Sequence, residues 1–183
     1  MLINGNRRLF SCLIMQIVTP KALLRNWRPD DAESLVKHAD NPKVASTLRD
    51  AFPSPYTLED ARWFIGLAAA TSDMFLAIEV GGEAAGGIGI HVLNDVKHRS
   101  AEIGYWLAEP YWGKGIVTDA VIAIVPVAFR RYDIVRLQAG IFSNNPASMR
   151  VLEKCGFARE AVHRDAVWKN GRFLDEVMYV RFR

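Results

Sequence analysis

Ile103, Tyr105 and Leu107 alternate with Glu102, Gly104 and Trp106, the period of two that marks a half-buried strand. Glu109-Pro110 ends the run, because proline has no N–H for a sheet ladder and restrains the residue before it. Gly113-Lys114-Gly115 follows. The apolar stretch 116–131 then reads as a long helix, kinked at Pro126 with the carbonyl of Ile122 displaced. Further strands are predicted at 17–27, 74–80, 85–93, 134–141, 157–168 and 172–181, and Gly81-Gly82 and Asn170-Gly171 are hairpin turns. Gly86, Gly87 and Gly89 weaken the 85–93 strand and mark close backbone approach or curvature. Helices are predicted from 28 to Asn41-Pro42, from Thr57 to about 70, and over 147–154, where Gly156 ends the last; 43–55 reads as a short helix plus loop. Hairpins and β–helix–β units together predict an α/β (α+β) fold whose sheet is mixed and has about seven strands.

The length of 183 residues fits one domain with a substantial core. A net charge of +3 suits an anionic ligand but is too diffuse for nucleic acid, since no basic block with interleaved aromatics occurs. Cys12 and Cys155 lack metal-type spacing and fit a reduced, cytoplasmic chain. Residues 1–15 carry Arg7-Arg8 and an apolar run of about seven residues, too short to span a bilayer. They read as a loosely ordered extension, with Met15 as an alternative start and residues 16–183 as the domain. No membrane partner is expected.

Two glycines around a lysine at a helix start leave backbone N–H groups uncovered beside the positive end of the helix dipole. That makes an anion site for a pyrophosphate, or merely a tight turn; the tripeptide alone leaves both open. A P-loop needs four residues between its glycines, and a dinucleotide fingerprint needs a third glycine where Thr118 stands.

The run from Tyr105 to Ala120 precedes Asn144-Asn145-Pro146-Ala147-Ser148, and the Cys155-Gly156-Phe157 beyond it, by one helix and one strand. This arrangement resembles the GNAT superfamily of acetyl-CoA-dependent N-acetyltransferases, and most of all its RimJ/RimL group, which acetylates protein N-terminal amines. The openings Thr19-Pro20-Lys21-Ala22-Leu23-Leu24-Arg25 and Arg28-Pro29-Asp30-Asp31-Ala32 are similar to that group's first strand and helix. Pro110 stands where the family pattern carries Gln or Arg, which removes one side-chain contact and leaves the backbone cradle.

The resemblance implies a GNAT fold that binds acetyl-CoA where two central strands splay apart. It implies that amides of Trp112, Gly113, Lys114, Gly115, Ile116, Val117 and Thr118 hold the CoA pyrophosphate. Leu107 and Ala108 would offer backbone groups to pantetheine, and Asn145 and Ser148 would lie near the sulfur. The acceptor implied is a protein or peptide N-terminal α-amine. Alternatives are a small-molecule amine (polyamine, amino acid or antibiotic) and a non-catalytic acyl-CoA-binding domain. A homodimer is expected by the same resemblance.

Glu102 matches the family's strand glutamate and reads either as a water-mediated general base or as a solvated strand residue. Ser148 either serves the leaving thiolate or satisfies the helix start. An N–H near Leu107 would polarise the thioester carbonyl. Tyr105 shares a face with Ile103 and Leu107 and is assigned to the core, as is Tyr132, whereas Trp106 and Tyr111 are candidates for the acceptor groove. His38, His91, His98 and His163 show no ligand spacing, so no metal is expected, and Cys155 reads as packing.

Overall fold

The computed structural model describes residues 15–183; the Cys12 position and the 1–15 extension, apart from Met15, lie outside them. Strand β1 (Gln16–Val18) turns into β2 (Leu23–Asn26). Helices α1 (Ala32–Ala39), α2 (Pro42–Ala45) and α3 (Leu58–Ala70) follow. Then come β3 (Met74–Val80), β4 (Glu83–Val92), β5 (Ser100–Leu107), α4 (Ile116–Arg131), β6 (Arg136–Phe142), α5 (Pro146–Lys154), β7 (Ala158–Lys169) and β8 (Arg172–Phe182).

The eight strands form one sheet in the order β1-β2-β3-β4-β5-β6-β8-β7, one more than the sequence predicts. The stretch 17–27 divides because Pro20 cannot donate to a ladder and Thr19 closes a turn. Its hydroxyl donates to the Ala22 carbonyl at 2.8 Å and accepts from the Ala22 amide at 3.0 Å. Both predicted glycine hairpins form: Gly81 and Gly82, and Asn170 and Gly171, all have positive φ, as a two-residue turn of this hand requires.

The sheet is antiparallel except between β5 and β6. That parallel pairing lasts three residues, from Ser100↔Arg136 to Glu102↔Gln138. β5 stays paired with β4 out to Leu107↔Gly86, and β6 with β8 out to Phe142↔Glu176. The two central strands therefore part beyond Glu102 while each keeps its outer neighbour.

Strand alternation sends side chains to two different cores. Leu76, Ile88, Ile103 and Leu107 face α4 and α5 in an aliphatic cluster. On the other face Phe75, Ala77 and Trp106 join Trp27, Tyr56, Phe64 and the apolar sides of α1 and α3. Helix α4 buries Ile116, Ala120, Val121, Ile124, Val125, Ala128 and Phe129, a stripe with helical spacing. It runs unbroken through Pro126. Pro126 and Ile122 both lie on its exposed side, where water can serve the carbonyl that the proline leaves without a donor.

A buried ion pair fixes the start of α1. Arg25 donates through both terminal nitrogens to the two oxygens of Asp31 at 2.7 Å, and also reaches Glu79. Its carboxylate partners hold the guanidinium pKa above its already high usual range. Asp31 in turn accepts the Arg28 amide at 2.7 Å. No helix among the described residues is long and apolar enough to cross a membrane.

Candidate active site

A cavity of about 600 Å³ fills the gap between β5 and β6 and reaches both faces of the sheet. From one face it is lined by Glu102, Gly104 and Trp106, from the other by Ile103, Tyr105 and Ser148. Side chains from opposite faces of one strand meet a single space because the neighbouring strand has left.

Glu102 sits on the last parallel rung. Its carboxylate accepts from Arg49 at 3.2 Å and from the Gln138 amide at 3.3 Å. Tyr105 is not a pure core residue, which corrects the assignment from alternation alone. Its hydroxyl lies 2.8 Å from Ser148 Oγ and donates toward the Ser148 carbonyl at 3.3 Å. Burial pushes the Tyr105 phenol well above its usual pKa, so it keeps its proton at neutral pH. The helix-start duty falls to Asn145, whose side chain accepts from the Ser148 amide at 3.1 Å. The Ser148 hydroxyl is thereby left for Tyr105.

Ladder alternation decides which backbone groups face the gap. The Ala108 amide donates to the Ala85 carbonyl at 2.8 Å, and the Ala108 carbonyl accepts from Tyr111 at 3.0 Å. The Ala108 amide thus serves the fold, and its carbonyl keeps one lone pair beside the bond from Tyr111. The N–H of Leu107 points the other way, toward the space that β6 has vacated. The Leu107 carbonyl is held by the Trp112 indole at 2.6 Å, which pins the turn to the end of β5.

The glycine turn forms as predicted, but the Trp112 amide donates to the Glu109 carbonyl at 3.1 Å and is not open to an anion as expected. Gly113 and Gly115 have φ of +74° and +77°, and Gly115 caps α4 with no side-chain hydrogen bond to the helix end. The first intrahelical amide bond belongs to Asp119, which donates to the Gly115 carbonyl. Ile116, Val117 and Thr118 precede it and have no intrahelical acceptor, as in any first turn. Lys114 lies over the Tyr111 ring, 5.4 Å from its centre. One cation missed in the sequence reading is also here. Lys21, from the β1–β2 turn, stands 3.3 Å from Asp119, and its ammonium would be 2.8 Å from a Cβ placed on Gly115. It comes from the far end of the chain, and no local pattern points to it.

The histidines are all engaged away from any metal set: His38 with Glu83, His91 with Asp73, His98 with the Asp95 carbonyl and His163 with Glu176. Among the described residues no cluster of three metal-ligating side chains occurs. Tyr132 packs against the aliphatic core and donates to the Ser72 carbonyl at 3.0 Å. Cys155 is buried, its thiol pKa raised by that burial. Tyr111 packs edge-on against His38 and does not line the cavity; Trp106 does.

The acetyltransferase (GNAT) domain family matches residues 21–158 of the chain. The chain belongs to the GNAT acetyltransferase family. An uncharacterized N-acetyltransferase of Bacillus subtilis, YoaA, is 31% identical over 167 residues, covering 88% of this chain and 93% of YoaA. Spermidine N(1)-acetyltransferase of Escherichia coli strain K12 is 26% identical over 168 residues, covering 90% of this chain and 89% of that one. Among solved structures, RimL, a ribosomal alpha-N-protein acetyltransferase, in complex with coenzyme A superimposes with a TM-score of 0.81 at 24% identity, over 92% of this chain and 98% of RimL. The fold and family implied by the sequence motifs are those of this GNAT enzyme, with the strand count raised to eight.

Proposed function

We propose that this GNAT N-acetyltransferase moves the acetyl group of acetyl-CoA directly to the α-amine of a peptide or protein N-terminus. One observation carries the reading: Glu102 and the Tyr105–Ser148 hydroxyl pair reach the same cavity from opposite faces of the sheet. A base for the amine and a donor for the thiolate need that separation, with the thioester between them.

The unfilled amides of Ile116, Val117 and Thr118, the Gly113-Lys114-Gly115 turn and Lys21 hold the pyrophosphate. Lys21 takes over the charge that Pro110 does not supply. The Leu107 N–H polarises the thioester carbonyl. The amine nitrogen attacks that carbonyl and a C–N bond forms. Glu102 receives the amine proton through water. The C–S bond then breaks, and the Tyr105–Ser148 pair returns a proton to sulfur.

The acceptor class follows from proton availability. An α-amine of pKa near 8 is roughly a quarter neutral at pH 7.5, whereas a lysine near 10.4 is about 0.1% neutral. The difference is about 3 kcal/mol of deprotonation that a single carboxylate need not supply. The structural relative RimL is an alpha-N-protein acetyltransferase, which favours the same class.

The test is thiol release from acetyl-CoA with short peptides bearing free or blocked N-termini. Turnover on free α-amines and none on blocked ones is expected, with kcat/KM rising with pH toward about 8 as the amine deprotonates. Glu102→Gln should lower kcat at least tenfold and leave acetyl-CoA affinity within twofold. An unchanged rate across pH in that variant removes Glu102 from the mechanism.

A further inference from the structure

The acceptor side of the cavity is built from rings laid on glycines. A Cβ on Gly87 would come within 2.8 Å of the Trp106 indole nitrogen, and one on Gly89 within 2.5 Å of Phe75. The two rings therefore lie directly on the β4 backbone. Phe52 meets Trp106 edge-on at 5.6 Å and Tyr56 at 5.0 Å. Phe64, from α3, meets Phe75 at 6.3 Å, and Trp63 lines the cavity while 67% exposed. Gly104 faces this space, and a Cβ there would touch nothing within 4 Å.

Charge is sparse on the same walls. The lining carboxylates are Asp60 and Glu102. Asp60 accepts from the Thr57 amide and hydroxyl through one oxygen as part of a helix cap, and those bonds hold its pKa below the usual carboxylate range. Glu102 shares its carboxylate with Arg49 and Gln138. A polycation needs several free carboxylates spaced along it, and these walls offer two acids, each already hydrogen-bonded, beside a field of aromatic carbon.

We infer that the preferred acceptor carries a large apolar or aromatic group next to its primary amine, as an N-terminal Phe, Leu or Trp does, rather than a small polar group or a second amine. The inference rests on the acetyl-transfer reading above. The amine nitrogen is placed at the Glu102 end of the gap, and the side chain lies in the open space over Gly104, against the packed Trp106 and Phe52 rings. Tyr56 stays a neutral wall in this arrangement, since burial raises its phenol pKa to about 12.

The experiment compares kcat/KM for thiol release with phenylalaninamide, leucinamide, alaninamide, serinamide and spermidine at saturating acetyl-CoA. Phenylalaninamide and leucinamide should exceed alaninamide and serinamide by at least about tenfold, the scale set by a few methylenes in an apolar pocket. Spermidine should be poorest. Gly104→Leu fills the open space and should cut the phenylalaninamide-to-alaninamide ratio at least about fivefold. Trp63→Ala, at the exposed rim where folding is not at stake, should cut that ratio about threefold. Equal rates on the four amides, or a preference for spermidine, overturn the inference and leave acetyl transfer standing. Ratios unmoved in both variants place the apolar selection elsewhere and overturn it too. If a protein that binds acetyl-CoA releases thiol with none of these amines or with N-terminally free peptides, the transfer reading falls and the inference falls with it.

Discussion

At the start of α4 the polar groups on offer belong to main chain, while on the opposite face of the sheet, beside α3, the surface on offer is aromatic carbon. The first region is made of residues adjacent in sequence, 113–118, and uses glycine because φ near +75° leaves little choice. The second is assembled from the segment 46–57, α3, β3 and β5, and almost any large apolar residue could fill its positions. Binding by main chain constrains the local sequence. Binding by packed rings constrains only volume, and volume is not written in spacing.

Three measurements sharpen this contrast. Gly113→Trp puts bulk and an unfavourable positive φ into the backbone cradle. It should weaken acetyl-CoA binding at least about a hundredfold, near 3 kcal/mol, in a calorimetric titration. Normal affinity would mean the cradle is not where the coenzyme sits. Next in size, Lys169→Met tests the ring side. Lys169 is nearly buried and donates to Asp50 at 2.6 Å, which, with the Asn144 amide on the Ser46 carbonyl, tethers the segment carrying Phe52. Losing the tether should raise KM for the acceptor about fivefold and leave acetyl-CoA affinity within twofold; an equal effect on both substrates would show that the two regions are not separable. Smallest is Lys21→Ala. A half-exposed cation should contribute about threefold to acetyl-CoA affinity, more at low salt and less at high salt. A salt-independent loss would assign Lys21 to folding instead.

The fold was largely legible. Alternation located β5, the glycine turn located α4, and Asn170-Gly171 located the last hairpin. The extra strand was missed because Thr19 closes its turn by side-chain hydrogen bonds, which no hydrophobic period records. The helix around Pro126 was read with its full span, but sequence alone did not show that the proline lies on the side that meets water. Glu102 and Ser148, which the family resemblance named, both line the cavity, and the glycine turn at 113–115 was readable from its own residues. Tyr105 was misplaced because alternation assumes a continuous sheet, and beyond Glu102 β5 has no neighbour on one side. Arg49 and Lys21 reach the site from 53 and 94 residues away, Arg49 to Glu102 and Lys21 to Gly115, so only tertiary structure could name them.

The three-residue parallel pairing of β5 with β6 has a kinetic meaning. A passage that opens on both faces of a sheet has two doors. On the proposed assignment, a nucleotide thioester entering beside α4 and an amine entering beside α3 would not queue behind one another, and neither product would wait for the other to leave. Random-order addition to a ternary complex is the traffic pattern such a passage allows, with free coenzyme competing at one door only.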